Sequence, residues 1–191
     1  MSLPRYKYLL TYRYAEIIFD LAGEFCERFF DKYRDKRTIE QIGGARRSGK
    51  QNLIEGVEDG RGSAKLELSL LNTSSGSFEE LIGDFEDFLR ERKISIWPKS
   101  DARIQRLKEY AFRLSHLSNL SDLGHLKEKP ILPKDPEESA NLMLTLCHMQ
   151  TYLLSKQIAA AEKKFVEQGG FTENLYKKRV EYRKKESSKV S

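Results

Sequence analysis

Ala45-Arg46-Arg47-Ser48-Gly49-Lys50-Gln51-Asn52 is the stretch whose reading decides the fold. Ile42, Ala45, Gly49 and Leu53 recur around it at three- and four-residue intervals, the period of a helix that buries one face. Thr38 with Gln41 three residues on is a capping-box pattern, so the helix is predicted to start near Ile39 and run to about Glu58. Gly43, Gly44 and Gly49 each cost about 1 kcal/mol of helix propensity relative to alanine. Small residues retained at that cost predict close approach of another backbone. Arg46 and Lys50 stand one turn apart on the same side.

Working outward, Tyr14, Ile17, Ile18, Leu21, Phe25, Phe29 and Tyr33 line one face of a preceding helix. Gly56 to Gly62 breaks the chain, with Gly56 suited to a left-handed cap. Ser63 can cap a third, long helix carrying Leu66, Leu70, Ser77, Leu81, Phe85, Phe88 and Leu89, ended by Trp97-Pro98. Asp101 can cap a fourth, with Ile104, Leu107, Ala111 and Leu114 as its buried stripe. Four long amphipathic segments with short connections, and no period-two stretch, predict an all-α helical bundle. Residues 1–118 form that core. Residues 119–134, broken by Gly124, Pro130 and Pro133 yet rich in leucine, read as an irregular connector packed on the bundle. Residues 135–191 read as a helical suffix. Asp135 at N-cap, Pro136 at N1 and Glu138 at N3 open a helix that carries Leu142, Leu146, Met149, Leu153, Ile158 and Ala161 to Gly169-Gly170. Thr172 can cap a last short helix over 173–185.

The chain has 191 residues, 34 Lys and Arg against 29 Asp and Glu, and two cysteines. Balanced charge points to solvated helix faces, so any polyanion partner must be argued from local clustering. No apolar run reaches the roughly 20 residues needed to cross a bilayer, and the N-terminus lacks a secretory pattern. Cys26 and Cys147 sit among apolar helical residues without CxxC spacing, the pattern of buried free thiols. A cytoplasmic protein without a membrane partner is expected.

Catalytic chemistry finds little footing. His116, His125 and His148 occur in no metal-ligand spacing, and Cys147 and His148, as neighbours on a helix, point about 100° apart. Gly43 to Lys50 lacks the order of a phosphate-binding loop. Glu79, Glu80, Asp84, Glu86 and Asp87 read as a solvated acidic face, or as the complement of a neighbouring subunit's basic surface. We therefore expect no catalytic residues, no metal and no cofactor. Arg46, Arg47 and Lys50, extended by Arg61, form a basic cluster able to contact phosphates. The same cations could instead pair with Glu55, Glu58 or the helix-three acids. From Gly170 onward, seven Lys and Arg face three Glu, a local charge of +4. There Lys177, Lys178, Arg179 and Arg183 alternate with Tyr176 and Tyr182, either a nucleic-acid contact or a solvated helix end.

Ala45-Arg46, Ser48, Asn52, Glu55-Gly56, Ser63, Gly76-Ser77 and Glu80-Leu81 resemble the signature of the 23S ribosomal RNA intervening-sequence family, which includes the accessory variability determinants of diversity-generating retroelements. Asn141-Leu142-Met143 and Gly169-Gly170-Phe171-Thr172-Glu173 are similar to a subgroup with a C-terminal four-helix-bundle suffix. The resemblance implies an antiparallel up-and-down four-helix bundle with additional C-terminal helices, assembled as a homo-oligomer, commonly a pentamer. It also implies RNA or DNA as a partner, and in the accessory determinants a reverse transcriptase. The expected function is a non-enzymatic nucleic-acid-binding or accessory scaffold. The alternative is a protein-interaction module whose basic residues form intersubunit ion pairs.

Overall fold

The computed structural model describes residues 3–169 and 171–187, apart from the side chains of residues 61, 168, 171, 172 and 187. Among the described residues the apolar periodicity becomes six α-helices, with no strand beyond an isolated bridge between Leu120 and Leu126. Helix α1, Leu10–Phe29, buries Tyr14, Ile17, Ile18, Leu21 and Phe25. It ends four residues before the apolar spacing does. The Asp31 carboxylate accepts the backbone N–H groups of Tyr33 and Arg34, both at 2.9 Å, folding the chain into a side-chain-stabilised turn. Tyr33, expected on the inner face, is 92% exposed.

Helix α2, Lys36–Asp59, starts ahead of the expected capping box, so Thr38 lies inside it. The Gln41 amide, expected to reach back to that cap, donates instead to Asp84 Oδ1 at 2.9 Å. Helix α3, Ala64–Glu91, begins as predicted, the Ser63 hydroxyl accepting the Leu66 N–H. Leu66 itself is 42% exposed, in contrast to the predicted stripe. Glycine shapes the α2–α3 contact at two positions. A Cβ on Gly49 would stand 2.9 Å from the Phe78 ring, and one on Gly56 would stand 3.3 Å from the Leu70 Cβ. Gly56 is therefore a helical contact residue, and α2 continues past it rather than ending in a left-handed cap. Gly43 and Gly44, expected at a close approach, face open space.

Helix α4, Ala102–Ser115, is capped by Asp101 and buries Ile104, Leu107, Ala111 and Leu114. Helix α5, Pro136–Gln168, opens with the Asp135 carboxylate accepting the Glu138 N–H and stops at Gly169, whose φ is +72°. Helix α6 is Phe171–Ser187. It starts before Thr172, whose side chain lies outside the described residues. Contacts run from α1 to α2, from α2 to α3, from α3 to α5 and from α5 back to α1, while α4 lies against α5 and α1. No described helix is long and apolar enough to cross a membrane.

The connections are pinned by side chains that supply backbone partners. Arg13, 4% exposed, donates to the carbonyls of Ser115 at 2.5 Å and Tyr8 at 2.8 Å, tying the chain before α1 to the end of α4. Asn141 receives the Trp97 N–H at 2.8 Å and donates to the Ser95 carbonyl at 3.0 Å, holding the α3–α4 connection on α5 as a paired strand would. In the 119–134 segment, the Tyr110 hydroxyl accepts the Ile131 N–H and Arg28 donates to the Leu132 and Pro133 carbonyls. Leu132 is buried, whereas Leu123 and Ile131 are exposed.

Candidate nucleic-acid interface

The basic cluster on α2 divides by the direction its residues face. Ala45, Gly49 and Leu53 occupy the buried stripe, so positions 46 and 50 flank it and lean over α1. Arg46 donates to the Phe19 carbonyl at 2.5 Å, with its guanidinium carbon 4.4 Å from the centre of the Phe19 ring. It crosses α1 at Gly23, where a Cβ would collide with Arg46 Nη1. Lys50 sits 3.8 Å from Glu16 Oε1 and 4.8 Å from the Phe19 ring centre, its side chain 22% exposed. Both cations are thereby engaged within the chain, with α1 rather than with Glu55, Glu58 or the α3 acids. Arg47, on the outer side, is exposed. The Arg61 side chain lies outside the described residues. Ser48 and Gly49 serve the α2–α3 crossing, Ser77 donating to the Ser48 hydroxyl and Ser74 to the Gly49 carbonyl, whereas Asn52, expected to bridge a crossing, donates to the Ser48 carbonyl within α2.

Helix α6 has the opposite character. Lys177, Lys178, Arg179 and Arg183 are all exposed, and so are Tyr176 at 68% and Tyr182 at 66%. Lys189 lies outside the described residues. Cations and aromatic faces thus share one helix that is polar on every side, an arrangement that can contact phosphates and stack on bases.

The acidic face of α3 departs from expectation at one position. Glu79, Glu80, Glu86 and Asp87 are exposed, but Asp84 is half-buried toward α2. Burial, and then the neighbouring charges of Glu80 and Asp87, push its carboxyl up to about 6. A raised folded-state value means the folded protein holds this proton between about pH 4 and 6 while the unfolded chain has released it, so stability falls as pH rises through that window. Asp84→Asn, which keeps the acceptor for Gln41, should therefore stabilise the protein at pH 7.5. The gain should be on the order of 1 kcal/mol once solvent access is allowed for, and should vanish below about pH 4. Urea midpoints at the two pH values test this.

Cys26 and Cys147 are free buried thiols, and burial pushes Cys26 up to about 11. His116, His125 and His148 lie on separate exposed segments. Sequence reasoning missed a groove of about 610 Å³ between α4 and α5. Its signal was Phe112 and Tyr152, two aromatic residues outside the apolar stripes of their helices and now 60% and 62% exposed. No protein-family model, curated protein or solved structure matches this chain.

Proposed function

We propose that this protein is a non-enzymatic, homo-oligomeric helical scaffold that contacts RNA or DNA through α6. The observation that carries the reading is the exposure of Lys177, Lys178 and Arg179 together with Tyr176 and Tyr182 on a helix with no comparable core-facing stripe. We read the fold as a four-helix bundle whose fourth member is α5, in place of the α4 expected within a 1–118 core, supported by the cycle of contacts through α1, α2, α3 and α5. Membership of the 23S ribosomal RNA intervening-sequence family, a pentameric ring, a cytoplasmic setting and service to a reverse transcriptase belong to the same proposal. The family, the ring and the reverse transcriptase rest on the resemblance of the Ala45–Asn52 and Gly76–Leu81 signatures, the cytoplasmic setting on two free, buried thiols. A second reading is a protein-interaction module whose basic residues form intersubunit ion pairs; with Arg46 and Lys50 engaged by α1, exposed Arg47 is the α2 cation placed to make one.

Fluorescence anisotropy with short RNA and DNA across a salt series separates the two. The wild type should bind at low salt, and K177E/K178E/R179E should remove most of the affinity and lower the logarithmic salt slope by roughly 2 to 3. Arg47→Glu should have a smaller effect. Absence of wild-type binding at low salt would leave the interaction module as the reading.

A further inference from the structure

The groove between α4 and α5 is not used by the proposed scaffold role. Its floor is Tyr14 from α1, Trp97 ahead of α4, Ile104 from α4 and Leu144 from α5, each buried to 7% exposure or less. Its rim carries Ile96, Phe112 and Tyr152, each more than half exposed. The buried polar groups in the wall are already engaged, while His148 and Tyr152 in the same lining are exposed. Asn141 binds the Trp97 N–H and the Ser95 and Glu137 carbonyls, and the Thr145 hydroxyl donates to the Asn141 carbonyl. Two cations, Lys99 and Lys108, line the same groove, and among the described residues neither has a carboxylate within ion-pair distance.

We propose that this groove binds an amphipathic monocarboxylate, its hydrocarbon body along the apolar wall and its carboxylate at Lys99 and Lys108. Three features select that class. The volume of about 610 Å³ lies within the roughly 300–1,000 Å³ of small-molecule sites. An apolar wall whose buried polar groups, Asn141 and Thr145, are already satisfied rewards hydrocarbon and penalises a sugar or nucleotide, most of whose hydroxyls would lose water without gaining partners. Two unpaired ammonium groups at the mouth complement one anionic head and are too few for a polyphosphate or a nucleic-acid backbone. A carboxylate left at the mouth also keeps part of its hydration, so it escapes the cost of full burial.

Trp97, the one tryptophan in the chain, lies in the groove wall and reports occupancy. Titration of the full chain with decanoate, below its micelle concentration, should shift Trp97 emission saturably, while decanol should bind at least about tenfold more weakly. K99E/K108E should weaken decanoate by about tenfold and leave decanol unchanged. F112D/Y152D, at two exposed positions, should weaken both, with circular dichroism verifying that each variant is folded. The absence of a saturable shift would overturn the proposal. So would equal affinity for acid and alcohol with K99E/K108E silent. Loss of a self-associated species in F112D/Y152D by light scattering, without wild-type decanoate binding, would assign the groove to a second copy of the chain instead.

Discussion

Arg13→Ala should destabilise the protein by about 3–5 kcal/mol, among the largest losses available from one side chain. Arg13 is 4% exposed, and its acceptors are the carbonyls of Lys7, Tyr8 and Ser115. Burial lowers its pKa from the ordinary arginine value, yet guanidinium keeps its proton in proteins. The charge is balanced by carbonyl dipoles, Ser115 lying in the last turn of α4 where the helix dipole favours a cation. Alanine would strand those acceptors and open a cavity between the start of α1 and the end of α4. Arg13→Met separates the two effects, since it keeps the apolar stem and removes every donor. A loss in methionine nearly as large as in alanine shows that the hydrogen bonds dominate. Urea unfolding with an unchanged slope and a lowered midpoint is the expected record; a midpoint within experimental scatter of wild type would refute it.

Phe25→Ala should cost a comparable amount, about 3–5 kcal/mol, for an unrelated reason. The Phe25 ring is fully buried, with ring centres of Phe29, Phe85 and Phe88 at 4.9, 5.0 and 4.7 Å and Phe30 at 6.0 Å. Most of these are edge-on or tilted, the arrangement in which the positive edge of one ring meets the negative face of another. Removing the central ring removes one partner from each pair and leaves a void that the flanking rings, Phe29 on α1, Phe30 just past its end and Phe85 and Phe88 on α3, cannot close by small rotations. Phe25→Leu, which retains most of the volume, should cost roughly half as much or less. Thermal unfolding should register Phe25→Ala as a fall of roughly 10 °C.

The helical class and most helix starts were legible because their signals are local. Ser63, Asp101 and Asp135 each accept a backbone N–H two or three residues ahead, as their positions before apolar periodic stretches require. The misreadings share the opposite property. Thr38 and Gln41 have capping spacing, but the same spacing arises inside a helix, and Gln41 answers to Asp84 on α3. The end of α1 is set by Asp31 and Asp35 hydrogen bonding to backbone N–H groups, which outweighs the apolar spacing that runs on to Tyr33. Periodicity placed Arg46 and Lys50 beside the buried stripe; it could not say that α1 would present Phe19, Gly23 and Glu16 there. The α4–α5 groove draws on α1, α4, α5 and the turn at Trp97, and no single window of sequence contains it.

The length of α5 has a consequence for how this chain can change over generations. At 33 residues it is the longest helix, about 50 Å from end to end. Beyond Leu154 its side chains turn largely outward, Phe165 and Val166 among them, and α6 follows with Leu175, Tyr176 and Tyr182 exposed. Packing therefore exerts little veto over the exposed side chains described past that point, since a surface substitution there costs the fold within about half a kcal/mol. The interior must satisfy its neighbours at every methylene, while this C-terminal stretch can drift, gain charge or lose it at almost no thermodynamic cost. Selection on what this protein touches can act on that stretch without first negotiating with the selection that keeps it folded.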